Sequence, residues 1–206
     1  EQAATMIGRL YKTAAADTVT PNQLTFTDKA KVNTWSAGYI YDAVQKGYIV
    51  GYPDGTFKPG NTVTRAEVSR ILYSYLGNSL STQSKNYQGT DFRNDVENTT
   101  ISEGCTLSNA EVGGDLYITE GVGSAAVMLS DVTIDGTLII SGGNVTLENV
   151  DAPIVMVSSS MNRLVQVTTT GNTNISATTV KSTASLSEAA LDVSAGGFSD
   201  IALQGG

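Results

Sequence analysis

Histidine is absent from this chain of 206 residues, and cysteine occurs once, at Cys105. These two shortages exclude a Ser-His-Asp triad, a Cys-His dyad and the usual zinc sites, all of which need imidazole or several thiolates. A lone thiol cannot close an internal disulfide. It fits a reducing cytosol and equally a Gram-positive cell surface, where disulfides are not obligatory. No run of eighteen apolar residues occurs, so no membrane span is encoded and no membrane insertion is expected. The opening residues EQAATMIGRLYK lack a charged segment leading into an apolar one, so they do not read as a signal peptide.

Positive charge is scarce in the later part of the chain. Residues 1–80 carry eight Lys and Arg against six Asp and Glu, giving +2, whereas residues 81–206 carry four against fourteen, giving −10. An acidic C-terminal part argues against nucleic acid, whose binding depends on neutralising phosphates. The N-terminal part is the better place for a local anionic ligand.

What is present begins with Gly51 to Glu67, GYPDGTFKPGNTVTRAE. Pro53-Asp54-Gly55 is a turn in which proline presets φ and glycine accepts φ > 0. Thr64 and Glu67 have the spacing of a capping box, each side chain reaching the other's backbone N–H. Upstream, Phe26-Thr27-Asp28 precedes an apolar stripe at helical spacing, Trp35, Tyr39, Ile40, Ala43 and Val44. Asn33 or Thr34 suits the N-cap, and Gly47 suits the left-handed C-terminal position. Downstream, Val68, Ile71, Leu72 and Tyr75 repeat the spacing and Gly77 ends the run.

The unit from Phe26 to Gly77 therefore reads as helix, turn-rich loop, capped helix. It closely resembles the S-layer homology (SLH) motif, which shares Phe-x-Asp, the Trp-bearing helix, Gly-Tyr-Pro-Asp-Gly-Thr-Phe-Lys-Pro and Thr-Arg-Ala-Glu in that order. The resemblance covers about a quarter of the chain. It implies a small helical bundle that anchors a protein to anionic secondary cell-wall polysaccharide, often one carrying a pyruvate ketal. Carried onto this chain, the motif's arginine is Arg65. An arginine at a helix N-terminus is not favoured by the dipole, but its planar fork beside free N–H groups suits a carboxylate or phosphate. Lys58 is the second candidate cation. Trp35 can either anchor the bundle or stack on a sugar, and Tyr52 reads mainly as structural. Asp28 and Asp54 hold the loop through Asx-type bonds or accept from sugar hydroxyls. Gly51, Pro53, Gly55, Thr64 and Glu67 are the motif's architecture.

Sliding the sequence by 65 positions pairs Ala3, Met6, Ile7 and Leu10 with Val68, Ile71, Leu72 and Tyr75. Residues 1–12 are thus expected to be the last helix of a truncated earlier motif, 13–25 a connector, 26–77 a complete motif and 78–98 a polar linker. Phe92-Arg93-Asn94-Asp95 resembles the start of a third motif, but no Trp-bearing helix follows.

From residue 99 to 206 the period changes to two, with short β-branched runs between Gly, Asn, Asp and Ser. Leu107-Ser108-Asn109-Ala110-Glu111-Val112 aligns with Leu129-Ser130-Asp131-Val132-Thr133-Ile134 and with Leu147-Glu148-Asn149-Val150. It aligns more loosely with Ile175-Ser176-Ala177. The three leucines are spaced by 22 and 18 residues. Such rungs predict a parallel β-helix, expected to be right-handed, with Asn109, Asp131 and Asn149 stacked at one corner. The stretch also resembles the Gly- and Thr-rich β-helices that accompany SLH motifs in secreted Firmicute surface proteins. The predicted fold is therefore an α + β two-part chain, a small helical SLH bundle followed by a parallel solenoid.

Parallel β-helices also host polysaccharide lyases and hydrolases, and Asp115, Asp131, Asp135 and Asp151 are available acids. A hydrolase needs two carboxyls at a set separation, and a lyase needs a cation near its substrate, where only Arg163 and Lys181 occur. Solvated corners are the commoner role for such acids. No EF-hand pattern appears, so no cofactor is expected, and only scattered acids are on hand for a structural calcium ion. The leading expectation is a non-enzymatic, extracellular Gram-positive wall protein with the solenoid as spacer or assembly surface. The alternatives are a subunit that self-associates through SLH helices or solenoid edges, and a wall-anchored lyase or hydrolase.

Overall fold

The computed structural model describes residues 1–10, 19–93, 97–161, 163–191 and 195–204. The chain divides into two compact units, Glu1–Tyr75 and Leu76–Gly206.

In the first unit, α1 spans Gln2–Leu10, α2 Thr34–Gln45 and α3 Arg65–Leu76. Both helix-ending glycines have positive φ, +70 at Gly47 and +63 at Gly77. The buried face of α2 is Ser36, Ala37, Gly38, Ile40 and Ala43, at the spacing an amphipathic helix needs. Trp35 was expected in that stripe. It lies one position off the face and is 48% exposed. A similar offset occurs in α1, where Ala4 and Ile7 are buried and Met6 is 71% exposed. Small residues at Ala4 and Gly8, one turn apart, mark the buried side of this helix. Leu24, Phe26, Val32, Ile49 and Tyr75 complete the core, with the Tyr48 and Tyr75 rings 4.1 Å apart. Residues 11–18, which include the first six residues of the expected connector, lie outside the described residues.

The second unit is a parallel solenoid. Its strands are β1 Asn78–Leu80, β2 Asn86–Gln88, β3 Thr99–Ile101, β4 Thr106–Val112, β5 Leu116–Ile118 and β6 Ala126–Ile134. There follow β7 Thr137–Ile140, β8 Asn144–Val157, β9 Val165–Gly171, β10 Asn174–Val180, β11 Ala184–Leu191, β12 Gly197–Phe198 and β13 Ile201–Leu203. Each pairing among the described residues is parallel, as when β4 lies on β6 and β6 on β8. The expected linker at 78–98 is instead the solenoid's first turn, because β1 pairs with β3 and β2 with β4. Among its described residues Leu80 and Tyr87 are buried in the core and Phe92 packs against it, and the polar residues between them make its composition look like a loop.

The core is built from columns of like residues. Leu107, Leu129 and Leu147 stack in register and each is fully buried. Each such side chain contributes roughly 1.5–3 kcal/mol on burial. The column continues at Thr169, not at Ile175 as the loose repeat suggested. Thr169 is fully buried, with a hydroxyl that has no hydrogen-bond partner among the described residues. A polar residue at an inward position broke the apolar signature there. Ile175 stacks instead on Ala152.

One corner is a column of left-handed residues: Asn109, Asp131, Asn149 and Gly171, with φ between +49 and +60. The Asn149 side-chain amide donates to Asp131 Oδ1 (2.9 Å), and its oxygen accepts from Asn172 N–H (2.8 Å). A Cβ on Gly171 would lie 2.4 Å from that Asn149 oxygen, so the glycine is required by contact as well as by φ. At a second corner Asp115 N–H donates to Asn98 Oδ1 (2.9 Å), and Asp115 Oδ1 accepts from Thr137 N–H (2.8 Å).

Candidate functional site

The Gly51–Pro59 loop is held from both sides. Within it, Tyr52 N–H donates to Thr56 O and Gly55 N–H to Tyr52 O, both at 2.9 Å. Asp54 Oδ1 accepts from the Thr56 N–H (3.0 Å) and hydroxyl (2.5 Å), the Asx-type turn expected of it. The Thr56 hydroxyl, then the Thr56 N–H and Lys58, hold the Asp54 carboxyl down to about 2. From the neighbouring segment, Thr27 N–H donates to Gly55 O (2.9 Å). Asp28 accepts from the N–H groups of Phe57 (2.8 Å) and Lys58 (2.9 Å). Partial burial raises the Asp28 carboxyl, and these N–H bonds outweigh that and leave it below its usual range. Phe-x-Asp is therefore a clamp: Phe26 packs on Phe57 with ring centroids 5.2 Å apart, and Asp28 grips the loop backbone. Gly51, at φ +74, leaves no room for a side chain, since a Cβ would sit 2.4 Å from the Phe26 ring.

The start of α3 is tied to the same loop. Thr64 N–H and hydroxyl donate to Glu67 Oε2 at 2.7 and 2.8 Å, and Glu67 N–H donates to Thr64 Oγ1 at 3.2 Å. The other Glu67 oxygen accepts from the Tyr52 hydroxyl at 2.5 Å. That phenol contact, then the Thr64 donors, hold the Glu67 carboxyl down to about 2. Tyr52 is correspondingly pushed up by Glu67. Lys58 adopts φ +54, pairs with Asp54 at 3.1 Å, and lies 4.1 Å from the centre of the Tyr52 ring.

These groups border a cleft of about 190 Å³. Glu1, Tyr52, Lys58, Asn61, Glu67 and Arg70 supply its polar parts, and Ala4, Ile49, Val63 and Ile71 are among its apolar walls. Of the sequence-predicted residues, the structure brings Tyr52 and Lys58 to the cleft. Asp28 and Asp54 stand behind them as loop supports. Arg65 is exposed at the first position of α3 and outside the cleft lining; it makes no hydrogen bond or ion pair among the described residues. Trp35 is also outside the lining.

Arg70 was missed. Its signal was available, because Arg70 and Ile71 lie three and four residues after Glu67 and so share the face that the capping box turns toward the loop. Glu1 was missed as well. Its carboxylate accepts from Asn33 N–H (3.0 Å), the Asn33 amide (2.5 Å) and the Ser36 hydroxyl (2.9 Å). Asn33 is the N-cap residue of α2 and its own side chain makes no capping bond, while Glu1 supplies the acceptor for the Asn33 backbone N–H.

In the solenoid, Asp115 and Asp131 are acceptors in the corner columns, and Asp115 also takes the Tyr117 hydroxyl at 3.0 Å. Asp135 and Asp151 are exposed. No group of three or more Cys, Asp and Glu placed to hold a metal occurs among the described residues.

Residues 25–69 match the family model of the S-layer homology domain. The chain is 34% identical over 76 residues to a cellulosome-anchoring protein of Acetivibrio thermocellus, covering 33% of this chain and 17% of that protein. It is 45% identical over 42 residues to cell surface glycoprotein 1 of the same organism, covering 20% of this chain and 2% of that protein. The chain therefore spans less than a fifth of the length of either curated relative. No solved structure matches it. The loop clamp, the capping box and these matches agree on one conclusion: the chain carries an S-layer homology domain at residues 25–69, followed by a parallel β-solenoid.

Proposed function

We propose that this chain is a non-enzymatic surface protein whose SLH domain binds anionic secondary cell-wall polysaccharide, with the acidic solenoid as spacer or assembly surface. An extracellular location at the cell wall follows from the SLH domain and from relatives that are surface and anchoring proteins. The observation that carries the binding reading is the cleft of the helical unit. Its Glu67 carboxylate has donors on both oxygens, while the guanidinium groups of Arg65 at the helix start and Arg70 in the cleft wall have no acidic partner among the described residues. An anionic ligand would meet the unpaired Arg70 there, beside Glu1 and Glu67 carboxylates that already accept hydrogen bonds within the fold. Tyr52, stacked by Lys58, and the apolar walls suit the C–H face of a sugar ring. The solenoid is read as non-catalytic because its buried acids serve the corners as acceptors and the others are solvated.

Co-sedimentation with Gram-positive sacculi tests the anchoring role. The full chain is expected to pellet with intact sacculi and to stay in solution with sacculi stripped of secondary polysaccharide by hydrofluoric acid. Equal pelleting with both, or with neither, would overturn the reading. Release of reducing or unsaturated sugars from the same polysaccharide is expected to match a protein-free control.

A further inference from the structure

We infer that Glu188 is a stop on the last described turn of the solenoid. Its side chain occupies the place where a second copy of this chain would add a strand, and so keeps the turn of β11, β12 and β13 from stacking on its like. Glycan binding plays no part in this, so the wall-polysaccharide reading stands or falls separately.

That turn presents uncovered core. Ile201 and Leu203 stand in register on Thr178 and Val180, and these on Val155 and Val157. Val155 and Val157 are fully buried, whereas Ile201 is 52% and Leu203 79% exposed. The two are therefore the next members of inward columns, exposed because no strand lies on them among the described residues. From Ile201 to Gln204 there is neither a charge nor a proline to blunt the edge. The first turn differs. Asn78 and Leu80 belong to the same two columns and are only 5% and 3% exposed. Head-to-tail stacking would find no open face there, so the open turn could pair only with its like, about a two-fold axis.

Glu188 stands against that pairing. It lies in register on Thr169, which continues the Leu107, Leu129 and Leu147 column, so a carboxylate occupies a position that lower turns fill with leucine. Its Oε1 accepts from the Phe198 N–H at 2.8 Å. The Gly197 and Ser199 N–H groups donate down to Thr173 O (2.9 Å) and Ile175 O (3.2 Å). By the alternation of a parallel ladder, the Phe198 N–H faces away from β10, toward the place of a further strand. A side chain from β11 thus does at β12 what that strand would do. The register shift between Glu188 and Leu191, with Ala190 at φ +51, further spoils β11 as a template. Two copies set end to end would also have to bury this carboxylate in each. Of the two roles proposed for the solenoid, this favours spacer over assembly surface at this end.

The test uses the full chain, without glycan, in sedimentation velocity over a wide range of concentration and in amide exchange at Phe198 in dilute solution. Glu188→Leu is expected to self-associate at concentrations about tenfold or more below any at which the parent does, and to exchange the Phe198 amide about tenfold or more faster. Glu188→Gln keeps an acceptor oxygen without the charge, so it should hold Phe198 protected and associate less than Glu188→Leu. Adding Leu203→Lys to Glu188→Leu should restore the parent's behaviour, which locates the contact at β13. An unchanged circular dichroism spectrum shows that each variant is folded. The inference is overturned if folded Glu188→Leu associates no more than the parent, or if Leu203→Lys leaves its association unchanged. It is equally overturned if the Phe198 amide of the parent exchanges as fast as in an unstructured peptide, a result that needs no variant to fold.

Discussion

At the scale of single residues, Glu67 joins fold and site. Its carboxyl is held near 2 in the folded chain against an ordinary 4.5, so the folded form holds the charged state more strongly than the unfolded form does. The stabilisation is fully present above the unfolded value and is lost as pH falls from about 5 toward 2. Acid titration of the unfolding midpoint should show this loss in the parent and a shallower one in Glu67→Gln. The same slope in both would mean that other carboxyls, such as Asp54, govern acid stability. Gly51 makes a steric prediction. A methyl group there meets the Phe26 ring and forces a β-carbon into φ +74, so Gly51→Ala is expected to destabilise by about 1–3 kcal/mol. Denaturant unfolding measures it, and a cost near zero would mean that the loop shifts freely.

At the scale of elements, α3 depends on its first turn. Only Tyr75 of this helix is buried, so its capping box matters more than in a helix with a full apolar face. Thr64→Ala should cost about 1 kcal/mol. It should also lower the affinity for sacculi, because Glu67 and Tyr52 would lose their shared anchor. Restoration by Thr64→Ser in both assays would confirm capping as the cause. In the solenoid, Asn149→Ala strips the Asn172 N–H of its acceptor, removes a donor from Asp131 and leaves alanine at φ +52. The expected cost is about 1–3 kcal/mol, read by chemical unfolding.

These elements also show what could be read in advance. Turn, box and helix-ending glycines were legible because each is local: the residues that interact are within a few positions of one another. The asparagine corner was legible because three rungs repeat it with little change. Trp35 was misplaced because a stripe shifted by one position still fits helical periodicity. The first solenoid turn was hidden because Asn78 and other polar residues occupy positions that later turns fill with Leu, Ile or Val. Arg70 was not legible from the motif because it lies beyond the Thr64–Glu67 box, and lining a cleft depends on which face of α3 meets the loop.

At the scale of the whole molecule, charge is divided unequally, +2 on residues 1–80 and −10 on residues 81–206. Binding of an anionic polymer through the first unit should weaken as salt rises from about 0.05 to 0.5 M, because exposed charges are screened within a few ångströms at the upper limit. Binding that strengthens or stays constant with salt would point to an apolar docking mode instead. The acidic solenoid should resist adsorption to the same polymer, keeping contact to the helical unit.

The left-handed corner has a consequence for how such a protein can change over time. Because four successive rungs carry Asn109, Asp131, Asn149 and Gly171 at the same stacked left-handed position, each of them repeats the same corner. Duplicating or deleting the stretch from one corner to the next preserves every inward column. It alters only the height of the solenoid, by about 4.8 Å per rung. The length of the solenoid can therefore be adjusted in fixed steps, through whole-rung gain or loss, without altering a residue of the helical unit.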